Sequence, residues 1–234
     1  MERQKKLGRP RRVGGDEQTA DRILQCAAQL FMEHGYNGVS MEQVAEAVGL
    51  TKAMVYYYFD SKASLLTSAM VRVMENVRAR TRLLLSQDAP LYTRLLEVTR
   101  AHLRRAPLDF EGIMRRAQTA LSETQLEAMQ RAEEQLFETI AEAFQEAMAK
   151  GEVRQTNARF CARAYMALLM AGRLERRREK ATDGQVPQPA HADERDTLQA
   201  GEGEEIRRMH TIAEALMEVL WLGVGSGGIP DKRQ

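Results

Sequence analysis

Residues 40–62 read SMEQVAEAVGLTKAMVYYYFDSK, two short helical patterns joined by a tight turn. Ser40 is placed to N-cap the first pattern, and Gln43, three residues on, completes a capping box. Val39 and Val44 stand at hydrophobic-staple spacing across that cap, and Met41, Val44, Ala45 and Val48 recur on one helical face. Gly49 stops the helix, because glycine enters left-handed conformations without a Cβ penalty. Leu50 fills the turn, and Thr51 is the predicted cap of the second helix. Residues on that helix advance by about 100° each, so Val55 and Phe59 face the same way and are the expected buried pair. Tyr58 lies near their face, while Tyr57 lies nearly opposite, flanked by Ala53, Met54 and Tyr56. Three consecutive tyrosines cannot all be buried on one short helix, so at least one meets water or a partner.

Two lysines narrow the choice. Lys52 falls in the first turn of the second helix and Lys62 in the first turn of the next, where the macrodipole disfavours a cation. A phosphate bound to both the free N–H groups and the lysine would remove that penalty. The stretch therefore reads as a helix-turn-helix aimed at nucleic acid. The bland alternative is a set of exposed tyrosines and lysines on an ordinary helical hairpin.

Residues 49–66, GLTKAMVYYYFDSKASLL, resemble the signature of the TetR family of bacterial transcriptional regulators. Ala27, Leu30, Phe31, Gly35, Tyr36 and the run Val39-Ser40-Met41 extend the likeness, which covers about residues 19–66. The resemblance implies an all-α chain of about nine helices. A three-helix helix-turn-helix domain would come first, followed by a helical bundle that carries an effector pocket and a dimer interface. The expected organisation is a basic flexible arm at 1–15, the DNA-binding domain at 16–62 and an effector-binding and dimerisation domain at 63–222. A disordered loop is expected at about 178–203 and a flexible tail at 223–234.

The charge distribution fits this division. The 234 residues carry a formal net charge of only +1, so the whole molecule is not a polycation. Residues 1–15 hold Arg3, Lys5, Lys6, Arg9, Arg11 and Arg12 against Glu2. Between 16 and 62 the balance reverses: Arg22, Lys52 and Lys62 stand against Asp16, Glu17, Asp21, Glu33, Glu42, Glu46 and Asp60. An acidic helix-turn-helix approaches phosphates poorly by itself, and the arm offsets it. Gly8-Arg9-Pro10-Arg11 also resembles the core of an AT-hook, whose arginines lie in a narrow A·T minor groove. The alternative is a solvated tail with Gly14-Gly15 as a hinge.

Elsewhere the pattern stays helical, without strand alternation. The first helix is predicted from near Asp16 to His34, with Ala20, Ile23, Leu24, Ala27, Leu30 and Phe31 as its core stripe. Ser61 caps a long fourth helix reaching about Leu85, whose Arg72, Arg78, Arg80 and Arg82 read as a solvated face. Helices are expected near 91–106, 108–119 and 122–150. Their interior candidates are Leu95, Val98, His102, Met114, Leu126, Met129, Leu136, Phe137, Ile140, Phe144 and Met148. If a pocket forms there, a mainly apolar one with His102, Met114, Phe137 and Phe144 is expected, although Met and Phe at helical spacing ordinarily mean packing. Two further helices are read at about 159–178 and 204–222. Phe160, Ala164, Ala167, Leu168 and Ala171 line one side of the former; the latter carries Met209, Ile212, Ala213, Leu216, Val219, Leu220 and Trp221. The family resemblance would pair these two helices with their copies in a second subunit.

Other classes find little support. Cys26 and Cys161 sit in helical apolar patterns, which suits buried free thiols better than a disulfide framework. His34, His102, His191 and His210 are scattered and form no metal or catalytic motif, and neither a P-loop nor a nucleophile elbow is present. No cofactor, metal or membrane contact is expected, and the chain is read as cytoplasmic and not an enzyme. The reading is a homodimeric repressor that leaves its operator on binding a small, largely apolar effector. Base contacts are assigned to Lys52, Ala53, Met54 and Tyr57. Thr51, Tyr56, Tyr58 and Lys62 are assigned to phosphates, with Arg9 and Arg11 adding arm contacts. An activator or ligand-independent DNA-binding protein is the alternative, followed by a helical enzyme or adaptor.

Overall fold

The computed structural model describes residues 13–104, 110–183 and 194–225. Among them the chain forms nine α-helices and one 3-10 turn. These are α1 (Val13–His34), α2 (Met41–Val48), α3 (Lys52–Tyr58), α4 (Lys62–Leu85), α5 (Leu91–Arg104), α6 (Phe110–Ala117), η1 (Gln118–Ala120), α7 (Glu123–Ala149), α8 (Ala158–Asp183) and α9 (Glu194–Val224). The all-α class expected from the pattern is the class observed. The sole extended pairing among the described residues is an isolated bridge between Val153 and Gly225.

The chain divides into two compact units, and the division falls inside α4. The first unit runs up to Met74 and takes in the later segment ending at Ala132; the second holds the stretch that follows Met74 and everything from Glu133 onward. The boundary expected after Lys62 is therefore displaced along α4, because that helix runs unbroken and its first half belongs with the N-terminal helices. In the first unit α1 buries Ile23, Leu24, Ala27, Ala28 and Phe31, while Ala20 and Leu30 are half-buried. The α4 residues Leu65, Leu66, Ala69 and Met70 are fully enclosed there too. Arg22 of α1 donates to the Val48 carbonyl at 3.1 Å and satisfies the open end of α2. Arg72 pairs with Asp21 at 2.8 Å, so it ties α4 to α1 and is not merely solvated.

In the second unit α5, α8 and α9 pack together. Leu95, Val98 and Leu103 of α5, Cys161, Tyr165 and Leu169 of α8, and Ala213, Met217 and Trp221 of α9 are buried. A buried polar cluster joins the same three helices. Thr99 and Tyr165 share a hydrogen bond at 3.0 Å, Tyr165 donates to the Leu95 carbonyl at 3.2 Å, and the Thr99 hydroxyl lies 3.7 Å from the Met217 sulfur. Burial pushes the Tyr165 hydroxyl far above its ordinary pKa. Gly172 of α8 is a point of close approach: a Cβ there would stand 2.5 Å from Cδ1 of Leu216. Arg94, almost completely buried, donates to the Leu85 carbonyl at 2.7 Å and closes the end of α4.

Several boundaries differ from expectation. The first helix starts at Val13, so Gly14 and Gly15 lie in its first turn and do not form a hinge. The stretch read as a loop at 178–203 is helical at both ends, since α8 continues to Asp183 and α9 already begins at Glu194. Its Arg, Glu, Lys, Gln and Ala residues are good helix formers even where no apolar stripe marks them. Residues 184–193 at its centre lie outside the described residues. Gly223 and Val224, read as the start of a flexible tail, belong to α9, and residues 226–234 lie outside the described residues. Arg78 was read as part of a solvated face. It bonds instead to Gln135 at 2.8 Å and Thr139 at 3.3 Å on α7, whereas Arg80 and Arg82 are exposed.

Candidate nucleic-acid interface

The hairpin at the heart of the first unit is built by caps. The Ser40 side chain accepts from the Gln43 amide at 3.2 Å and the Gln43 side chain accepts from the Ser40 amide at 2.8 Å, a complete capping box. Gly49 ends α2 in the left-handed region at φ 74°, and its amide and that of Leu50 reach back to carbonyls of the last turn. The Thr51 side chain accepts from the Met54 amide at 3.2 Å and starts α3. Caps on both sides of the turn thus hold α2 and α3 at their ends.

With seven residues, α3 is too short to hold its shape without support. Val55 and Phe59 supply it, at 0% and 8% exposure. The opposite side is left open: Tyr57 is 58% exposed, Tyr56 43% and Met54 39%. Thr51, Lys52 and Ala53 are exposed beside them. The residues expected to contact bases are thus all exposed. The Tyr57 and Tyr58 rings meet edge-on at 5.1 Å, which restricts both without covering Tyr57.

Two of the expected phosphate-binding groups, Tyr58 and Lys62, and one expected base-contacting group, Lys52, have partners within the first unit. Tyr58 is half-buried, and its hydroxyl donates to Asp16 of α1 at 3.1 Å. Lys62 is also half-buried; its ammonium donates to the Val39 carbonyl at 3.0 Å and lies 4.2 Å from the centre of the Tyr36 ring. Burial raises the pKa of the Tyr36 hydroxyl. Lys62 therefore braces the approach to α2, which explains a cation at a helix start without any phosphate. Lys52 forms an ion pair with Glu42 of α2 and stands 5.7 Å from the centre of the Tyr56 ring. The hydrogen bond from Lys52, aided by the Glu42 amide, holds the Glu42 carboxyl below its ordinary range, and Glu42 in turn raises the Lys52 ammonium. Sequence assigns no contact role to Glu42, Asp16, Tyr36 or Arg22, because their partners lie outside any helical spacing. Arg9 and Arg11 lie outside the described residues.

The four residues read as an effector pocket are divided between the two units. Met114 belongs to the first unit; His102, Phe137 and Phe144 belong to the second. Phe144 is fully buried. Phe137 is half-buried in a shallow dent with Glu138, Ala141, Arg159 and Arg163, and the Arg163 guanidinium stands 5.8 Å from its ring centre. His102 is buried against polar groups, with Thr81 at 3.4 Å from Nε2 and Arg173 at 3.1 Å from Nδ1.

The sequence profile of bacterial regulatory proteins of the tetR family matches residues 23–69, the segment carrying the hairpin and its supports. The N-terminal domain is a TetR-family domain. A 45-residue stretch is 44% identical to the IcaR negative transcriptional regulator of the biofilm operon icaADBC in Staphylococcus aureus, covering 19% of this chain and 24% of that protein. The chain therefore matches about a quarter of that relative's length. Fold similarity extends much further. Reduced NemR of E. coli superposes with a TM-score of 0.66 at 15% identity, covering 91% of this chain and 100% of that one. AibR, solved in complex with isovaleryl coenzyme A and operator DNA, superposes with a TM-score of 0.56 at 19% identity, covering 86% and 97%. Beyond the TetR-type domain, the remaining helices thus follow an architecture already seen in solved regulators.

Proposed function

We propose that this protein is a transcriptional repressor that docks α3 of its TetR-type domain in the major groove of an operator. The observation that carries this reading is the open face of α3, with Met54, Tyr56 and Tyr57 turned outward while Val55 and Phe59 are enclosed. Base edges and thymine methyl groups suit tyrosine and methionine on such an exposed face. Lys52, Ala53, Met54 and Tyr57 read bases; Thr51 and Tyr56 face phosphates. Arg9 and Arg11 add electrostatic contacts from the arm.

The repressor acts as a homodimer, joined through α8 and α9. Phe160 at 69% exposure, with Met170 and Leu174, leaves an apolar surface on α8; Ile206, Val219 and Leu222, the last at 74%, do so on α9. Two copies would present two α3 helices to successive major grooves, about 34–36 Å apart. A small, largely apolar molecule taken up by the second unit releases the DNA by favouring a state in which that spacing no longer fits. The names of IcaR, a negative regulator, and AibR, seen with both a ligand and operator DNA, support this direction.

The decisive measurement is selection of bound duplexes from a random pool by the purified protein, followed by Tyr57→Ala on the recovered site. Enrichment of a two-fold symmetric site, with a loss of at least ten-fold in affinity for the variant, is expected. Failure to enrich any duplex at low ionic strength ends the reading.

A further inference from the structure

We infer that Glu42 is a specificity-determining residue that restrains Lys52 from binding phosphate indiscriminately. This rests on the DNA-binding reading of α3 and adds a role for a residue of α2.

Lys52 is the single cation on α3, and Glu42 on the neighbouring helix α2 is its ion-pair partner. Both side chains are about half exposed, 53% for Lys52 and 56% for Glu42, so the pair lies on the surface and exchanges with solvent. The Tyr56 ring flanks the ammonium on its other side. A duplex that approaches the open face of α3 meets this pair before it meets a free lysine. For Lys52 to neutralise a phosphate, Glu42 must be displaced or must stand within a few ångströms of a like charge, which opposes the contact.

This arrangement treats the two modes of binding unequally. Non-specific association draws nearly all its affinity from phosphate neutralisation and counterion release. A cation already matched by a carboxylate contributes little to it. At the correct site, base contacts made by Tyr57 and Met54 hold the helix in register, and their added affinity can offset the displacement of Glu42. Glu42 therefore lowers affinity for random sequence more than for the operator. Such a device matters because genomic competitors vastly outnumber operators, so the ratio of affinities governs occupancy. The acidic balance of residues 16–62 agrees with selection against loose phosphate attraction in this domain.

The test is fluorescence anisotropy of the full chain with two labelled duplexes, one recovered by selection and one of random sequence, across a salt series. The variants are Glu42→Gln, Glu42→Ala, Lys52→Met and the double variant Glu42→Gln/Lys52→Met, each checked for wild-type helicity by circular dichroism. Releasing Lys52 should steepen the log–log salt slope on random duplex by up to about 0.9. Glu42→Gln should tighten binding to that duplex by roughly 3- to 10-fold at low salt, with a smaller gain on the selected duplex and hence a lower specificity ratio. Glu42→Ala should repeat the effect, and Lys52→Met should abolish it in the double variant. Wild-type salt slopes and ratios in both Glu42 variants overturn the inference, even if the protein binds DNA well. A wild-type protein that ignores both duplexes overturns the DNA-binding reading and this one with it.

Discussion

Lys62→Met separates two explanations for a lysine at the start of α4. If Lys62 grips a phosphate, its loss should weaken DNA binding and leave the fold alone. The geometry argues the reverse. The ammonium donates to the Val39 carbonyl at 3.0 Å and rests over the Tyr36 ring at 4.2 Å, holding the chain just before the Ser40 cap. A hydrogen bond involving a charged donor contributes about 1.5–3 kcal/mol, and a cation over a ring near the surface adds about 0.5–1 kcal/mol. Unfavourable placement near a helix N-terminus subtracts about 0.3–1 kcal/mol. Methionine keeps the apolar stem over Tyr36 and regains part of the ring contact. The net loss should be about 1–2 kcal/mol, confined to the first unit. A two-unit protein need not unfold in one step, so a global midpoint is the wrong observable. Hydrogen exchange is the better one: the amides of Val44, Leu50 and Val55 should lose about ten-fold in protection, one factor of ten per 1.4 kcal/mol. Second-unit amides such as Arg94 should not change. The salt slope of DNA binding should stay at its wild-type value. Unchanged protection together with a slope reduced by about 0.9 would refute this argument and return Lys62 to the phosphates.

Other outcomes follow from the same structure. Val55→Ala should remove about 1–3 kcal/mol from the first unit, read as lost exchange protection in α3, since a fully enclosed side chain leaves a cavity when truncated. Ser40→Ala should remove about 0.5–2 kcal/mol through the lost cap, measurable by the same exchange experiment. The paired change Phe160→Glu and Val219→Glu should halve the mass seen by analytical ultracentrifugation while leaving circular dichroism unchanged, because both side chains are exposed on a single chain. Tyr165 gives a pH dependence with a defined sign. Its folded pKa is raised, so its contribution is complete below the unfolded value of about 10 and is lost as pH rises from there toward the folded value. Alkaline unfolding monitored at Trp221 should therefore begin above about pH 10 and should shift upward in Tyr165→Phe.

What could be read from sequence was what is decided within a few residues. The capping box, the Gly49 stop, the Thr51 cap and the Val55–Phe59 pair all depend on neighbours three or four positions away, and each stands where expected. Contacts between helices were invisible to that reasoning. No periodicity relates Lys62 to Val39 and Tyr36, Lys52 to Glu42, or Tyr58 to Asp16, and those contacts engage residues that sequence assigns to DNA. On α8 the stripe marked by Phe160, Ala164, Ala167 and Ala171 is half-buried to exposed, and the enclosed stripe of Cys161, Ala162, Tyr165 and Leu169 lies beside it. A helix apolar over most of its circumference shows that something is covered, not which side this chain covers itself. The opposite error shortened α8 and α9, whose charged turns carry no stripe to mark them.

The seat that Gly172 provides for Leu216 bears on how a second copy would join. With no side chain at 172, α8 and α9 interlock at one height, and a slip by one turn, about 5.4 Å, would bring Leu168 or Arg176 to that seat and jam it. The apolar residues left open on the two helices are therefore presented as one stiff template, already arranged before any encounter. Assembly on such a template loses little further freedom, so a subunit, once joined, should exchange slowly.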